Sequence, residues 1–151
     1  MRTSLNPGYL PDQQWVDPHC WSIRVYYEDT DAGGVVFYAN YLKFMERART
    51  EWLRELGVSQ QELSEEKRLV FVVTGLSIDY KAPARLDDLL SIESVVSRIR
   101  RASLTFSQRI VCQGQLLAIS QIRVGCVDVD SMRPVVIPDE IFQRICSTSQ
   151  R

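Results

Sequence analysis

Residues 40–57 read NYLKFMERARTEWLRELG, and this stretch decides the fold. Tyr41, Met45, Ala48, Trp52 and Leu56 recur at steps of three or four, with Lys43, Glu46, Arg47, Arg49, Arg54 and Glu55 between them. That period describes a helix with one apolar face. Asn40 suits the N-cap and Gly57 the C-terminal stop. About 17 residues at 1.5 Å rise span roughly 25 Å, enough to lie across a sheet as its main packing partner.

Downstream, a polar segment at 59–68 leaves room for one or two helical turns, and the chain then changes period. Residues 69–81, 88–99, 102–113 and 116–128 read as strands. The first ends at Ala82-Pro83, and Gln113-Gly114-Gln115 marks a hairpin between the last two. Met132-Arg133-Pro134 breaks the pattern, and Pro138-Asp139-Glu140 opens a short C-terminal helix. Upstream, Trp21, Ile23, Val25 and Tyr27 alternate as a half-buried strand does. Residues 1–20 carry Asn6-Pro7-Gly8, Pro11-Asp12 and Asp17-Pro18, which predict an irregular arm. One strand, a long helix and four strands joined by short connections give an α+β domain over 21–151. Its sheet is antiparallel, because the late connections are too short for crossovers.

The 151 residues carry a net charge of -1, with 45% hydrophobic and 25% charged residues. That balance gives no whole-molecule attraction to nucleic acid or to an anionic membrane. His19 is the only histidine, and Cys20, Cys112, Cys126 and Cys146 form no Cys-x-x-Cys pair, so no metal site is expected and the cysteines read as reduced. No apolar run follows a basic start, and no stretch has the length of a membrane span. A cytoplasmic location is the expectation.

Between the first strand and the long helix lies Glu28-Asp29-Thr30-Asp31-Ala32-Gly33-Gly34. Three carboxylates precede a glycine turn that feeds a helix N-terminus. Free backbone N–H groups at a helix start carry partial positive charge and can bind a developing oxyanion. A carboxylate on the preceding turn can attack the same carbonyl carbon, or activate a water that does. Two other readings compete. Asp-x-Asp pairs commonly do no more than cap turns, and a divalent cation would need further acidic ligands at loop spacing that the chain lacks.

The run YYEDTDAGGVVFYANYL at 26–42, continuing as FMERARTE at 44–51, resembles the signature of the hotdog-fold acyl-CoA thioesterases. It is similar to the 4-hydroxybenzoyl-CoA thioesterase family and, within it, to the YbgC group. The resemblance covers about 21–128. It implies a hotdog fold, a long central helix wrapped by a curved antiparallel sheet, and hydrolysis of an acyl-CoA thioester without a cofactor. Coenzyme A enters only as part of the substrate. The family's catalytic carboxylate corresponds to Asp31, as nucleophile or general base, with Asp29 shaping the turn. Its oxyanion donor corresponds to the backbone N–H of Tyr38, where the YbgC group usually carries His. Arg100 and Arg101 match family positions that contact coenzyme A phosphates, work that suits the planar guanidinium. A homodimer or homotetramer is also implied. The rivals are a thioesterase acting on acyl carrier protein and a non-catalytic hotdog that binds acyl thioesters or a protein.

Overall fold

The long helix forms where its periodicity places it. A computed structural model describes residues 10, 11 and 14–149, with α1 at Asn40–Glu55. It ends in a Schellman turn: the Gly57 N–H, at φ +83°, donates to Arg54 O, and the Val58 N–H donates to Leu53 O. Asn40 is not the N-cap. It is the first helical residue, and its side chain is committed elsewhere. The polar 59–68 segment contains α2 (Gln60–Lys67), capped by Ser59 Oγ accepting from the Glu62 N–H.

Five strands follow the sequence expectation within two residues, except at the first. β1 runs from His19 to Arg24 and stops short of Tyr27. A single 3-10 turn over Tyr27–Asp29 replaces its end, because Asp29 Oδ2 accepts the Tyr26 N–H. The others are β2 (Leu69–Tyr80), β3 (Leu89–Ile99), β4 (Ser103–Cys112) and β5 (Gln115–Asp128), and α3 (Asp139–Ser149) is the last element among the described residues. All pairings are antiparallel in the order β1-β3-β4-β5-β2. The β4–β5 hairpin turns on Gln113 and Gly114, both at positive φ, as a type I′ loop requires. Register shifts near Thr74 in β2 and between Val96 and Arg98 in β3 bend the sheet. This is the hotdog arrangement.

The buried face of α1 carries Tyr41, Phe44, Met45, Ala48, Trp52 and Leu53. It packs on Leu90, Ile92, Phe106, Ile110 and Ile122 of the sheet, with Trp52 edge-on to Phe106 at 5.2 Å. A polar cluster sits inside, centred on Gln108. Gln108 Nε2 donates to Met45 O and to Ser94 Oγ, which pins the helix to the sheet. Arg49, which the periodicity assigns to the polar face, is buried and donates to Gln108 Oε1 at 2.9 Å. Arg144 of α3 reaches Leu56 O and caps the far end of α1.

The irregular arm has a function in packing. Trp15 is buried on the opposite face of the sheet, against Ile119 and the partly buried Val95 and Leu116. The Arg109 guanidinium lies 4.3 Å from its ring. The part of the arm at 1–9, with residues 12 and 13, lies outside the described residues.

Candidate active site

The acidic loop is a small closed structure held from three sides. Thr30 and Val36 pair as an antiparallel bridge, the Asp31 N–H donates to Val35 O, and the Gly34 N–H donates to Asp31 O. Gly34 takes the positive φ this turn needs, +78°. Gly33 serves differently. Its N–H donates to Asp31 Oδ1 at 2.8 Å, and a Cβ there would stand 3.2 Å from that oxygen. The Asp31 carboxylate is thus held by one oxygen. Among the described residues Oδ2 has no partner, and the side chain is exposed.

Asp29 does the opposite work. It is 6% exposed, and its two oxygens accept from the Tyr26 N–H and from Asn40 Nδ2, both at 2.9 Å. Its carbonyl accepts the Phe37 N–H. Asp29 therefore joins the start of the loop to its end and to the first residue of α1.

A second clamp comes from the β2–β3 connection. Ala84 O accepts the Val36 N–H, the Ala84 N–H donates to Tyr41 Oη, and Val35 bridges Arg85. Tyr80, at the end of β2, donates its hydroxyl to Tyr38 O at 2.9 Å. Burial pushes the Tyr80 phenol up, with Tyr41 and Tyr38 adding to the shift, so it remains a donor. Tyr38 is 64% exposed. Its backbone N–H precedes α1 and has no acceptor among the described residues, as the first N–H groups at a helix start do not.

Asp31 and Tyr38 thus share one loop. Arg100 and Arg101 lie apart, at the β3–β4 turn. Both are exposed, with no carboxylate partner among the described residues. Arg100 borders an open groove with Arg98 and Arg123 that Arg101 does not line. The roles of Tyr80, Ala84 and Tyr41 escaped the sequence, because they depend on the β2–β3 connection passing over the loop. The Asp29–Asn40 bond spans 11 residues. Asn40 reads as a cap from sequence, so its amide could not be assigned to the loop. Among the described residues no group of three or more His, Cys, Asp or Glu side chains converges to hold a metal. Among the described residues the cysteines form no disulfide, and burial pushes Cys126 up to about 11.

Comparison with known proteins places the chain in a family. The family model described as the thioesterase-like superfamily matches residues 25–145. The acyl-CoA thioesterase YbgC of Haemophilus influenzae is 52% identical over 119 residues, which cover 79% of this chain and 88% of that protein. The acyl-CoA thioester hydrolase YbgC of Escherichia coli O157:H7 is 51% identical over 122 residues, covering 80% and 90%. Among solved structures, a probable thioesterase from Bartonella henselae superposes with a TM-score of 0.77 at 33% identity, over 80% of this chain and 99% of that one. A 1,4-dihydroxy-2-naphthoyl-CoA thioesterase from Synechocystis gives 0.79 at 25% identity, over 85% and 95%. The matched segment contains the whole acidic loop, the long helix and all four later strands: this chain belongs to the thioesterase-like superfamily.

Proposed function

We propose that the protein hydrolyses acyl-CoA thioesters to the free acid and coenzyme A, with Asp31 as the reacting carboxylate and the Tyr38 N–H as oxyanion donor. One observation carries this: Asp31 is anchored by a single oxygen, on the loop whose other end presents an uncommitted N–H at the start of α1. An anchored carboxylate keeps a fixed direction, and its free oxygen is available either to the thioester carbon or to a water. In the first case the thiolate leaves, an Asp31 anhydride forms, and water hydrolyses it. In the second, Asp31 takes a proton from the attacking water. In both, negative charge gathers on the carbonyl oxygen, where a fixed N–H stabilises it more in the transition state than in the ground state. The Tyr38 side chain takes no part. Backbone donation needs only a non-proline residue.

The relatives named above act on acyl-CoA, and the unpaired Arg100 and Arg101 suit its phosphates. A second copy of the chain completes the assembly in this reading. β2 is an edge strand of 12 residues, and among the described residues only β5 pairs with it. Its Val73, Leu76 and Tyr80 are 43–47% exposed. An edge that long and apolar invites pairing with another strand. The chemistry and the absence of disulfides among the described residues suit the cytoplasm, and no helix among the described residues is long and apolar enough to cross a membrane.

Thiol release from a panel of aliphatic and aromatic acyl-CoAs, run beside the same acyl groups on a carrier protein, tests the proposal. Turnover of at least one acyl-CoA is expected. Turnover only from the carrier would move the substrate to acyl carrier protein. Binding without turnover of either would make the protein a non-catalytic hotdog.

A further inference from the structure

Arg49 is a charge inside the domain without a counter-charge bonded to it. It is 9% exposed, and its one hydrogen bond runs from Nη1 to Gln108 Oε1. A guanidinium has five N–H donors; among the described residues the remaining ones have no acceptor. Glu46, one turn before it, attracts it electrostatically but is exposed and makes no hydrogen bond to it. The described side-chain polar atoms that are both sealed and unpartnered are His19 Nδ1 and Ser107 Oγ. The spare Arg49 donors are not among them, so they open onto space. That space is a cleft of about 110 Å³, with apolar walls from Leu53, Phe71, Phe106 and Val124 and polar groups from Thr50 and Glu46. The Thr50 hydroxyl is already engaged, donating to Glu46 and accepting from Gln60.

We propose that this cleft receives the far end of an acyl group bearing a hydrogen-bond-accepting oxygen, a carboxylate above all, which Arg49 binds through its free N–H donors. The inference rests on the thioesterase reading. Three features set the ligand's chemistry. Burial weakens the hydration of the guanidinium, so a charged acceptor entering the cleft gains a charge-assisted bond in a partly desolvated setting. The apolar walls accept a hydrocarbon chain behind that acceptor. The volume, set against a water's share of roughly 30 Å³, admits a terminal carboxylate with a methylene or two and excludes a fused ring. Position adds a length requirement. Arg49 stands nine residues into α1 from Asn40, about 14 Å along the axis, so an acyl chain that reaches the cleft from the acidic loop must span about that distance.

The test compares kcat/KM of the wild type for straight-chain acyl-CoAs of increasing length with their ω-carboxy and ω-hydroxy counterparts. Once the chain reaches the cleft, the ω-carboxy substrate is expected to be favoured over the plain one by about tenfold, the scale of a charge-assisted hydrogen bond, with ω-hydroxy between them. The ratio should collapse towards one in Arg49→Met and fall partway in Arg49→Lys, which keeps the charge and loses the fork. A wild type that prefers the plain chain at every length overturns the proposal. So does an Arg49→Met that leaves the ratio intact, or that shifts dimer dissociation in its place, which would assign the fork to a second copy's carboxylate. Calorimetry of free straight-chain dicarboxylates with the wild type reads the cleft without turnover or a variant. Binding there supports the site even if no thioester is hydrolysed, and absence of binding refutes it.

Discussion

Replacing Asp29 tests whether the acidic loop is built around a buried carboxylate. Asp29→Ala removes two hydrogen bonds of 2.9 Å to a charged acceptor. The donors left behind are not equivalent. Tyr26 is 61% exposed, so water replaces the partner of its N–H; Asn40 is 8% exposed, so its amide is stranded. Hydrogen bonds to charged groups contribute about 1.5–3 kcal/mol each. With one donor rescued by water, the loss is about 2–4 kcal/mol. For a domain of this size that lowers Tm by roughly 5–15 °C. Asn40→Ala strands the carboxylate oxygen and costs about 1–3 kcal/mol. Because the two groups bond to each other, the double variant should fall short of the sum by about 1–2 kcal/mol. Urea unfolding of the four proteins gives the cycle, and thiol release from acyl-CoA gives the functional arm. Activity should fall by about tenfold or more in each single variant, since misplacing a reacting group by about 1 Å costs on the order of a hundredfold. Additive effects within about 0.5 kcal/mol, or full activity in Asp29→Ala, would refute the reasoning.

Three further outcomes follow from other parts of the molecule. Arg100→Ala with Arg101→Ala should raise KM for acyl-CoA and leave KM for the matching acyl-pantetheine, which lacks the nucleotide phosphates, unchanged; equal effects on both would remove the phosphate role. Burial lowers Arg49 to about 10, which corresponds to about 3 kcal/mol against the charged form. The unfolded chain holds that proton to higher pH, so the stability of the wild type relative to Arg49→Met, read from urea midpoints, should rise as pH passes through about 10; the difference cancels the opposite contributions of Cys126 and Tyr80, which both proteins share. Near neutral pH the two proteins should be within about 2 kcal/mol, because the lost Gln108 bond offsets the relieved burial. Trp15→Ala should cost about 1–3 kcal/mol, less than a deep-core truncation because the arm can lift as a unit, and should expose the arm to limited proteolysis near Asp17; an unchanged cleavage pattern would show that Trp15 does not hold it.

The long helix and the later strands were legible because their signals are local. Periods of 3.6 and 2, Gly57 at positive φ, and the Gln113-Gly114 turn each mark a boundary within a residue or two. The acidic loop was legible as a unit, since three carboxylates, two glycines and a helix start adjoin in sequence. What sequence could not supply was long-range. Asn40 reads as a cap until Asp29, 11 residues earlier, is seen to take its amide. Arg49 reads as a surface residue until Gln108, 59 residues later, is seen to receive it. Tyr80 and Ala84 read as strand end and linker until they close over the loop. The arm read as irregular, and its described part is so, yet Trp15 fastens it to a sheet face that no local pattern connects to it.

The most direct test of the mechanism is kcat for acyl-CoA hydrolysis by Asp31→Asn beside the wild type, with unfolding measured on the same samples. Asp31 is exposed and bonds only within its own turn, so stability should change by no more than about 0.5 kcal/mol. With the attacking or activating carboxylate gone, kcat should fall by about 10²–10⁴-fold. An equally stable Asp31→Asn that turns over acyl-CoA at the wild-type rate would contradict the role assigned to Asp31.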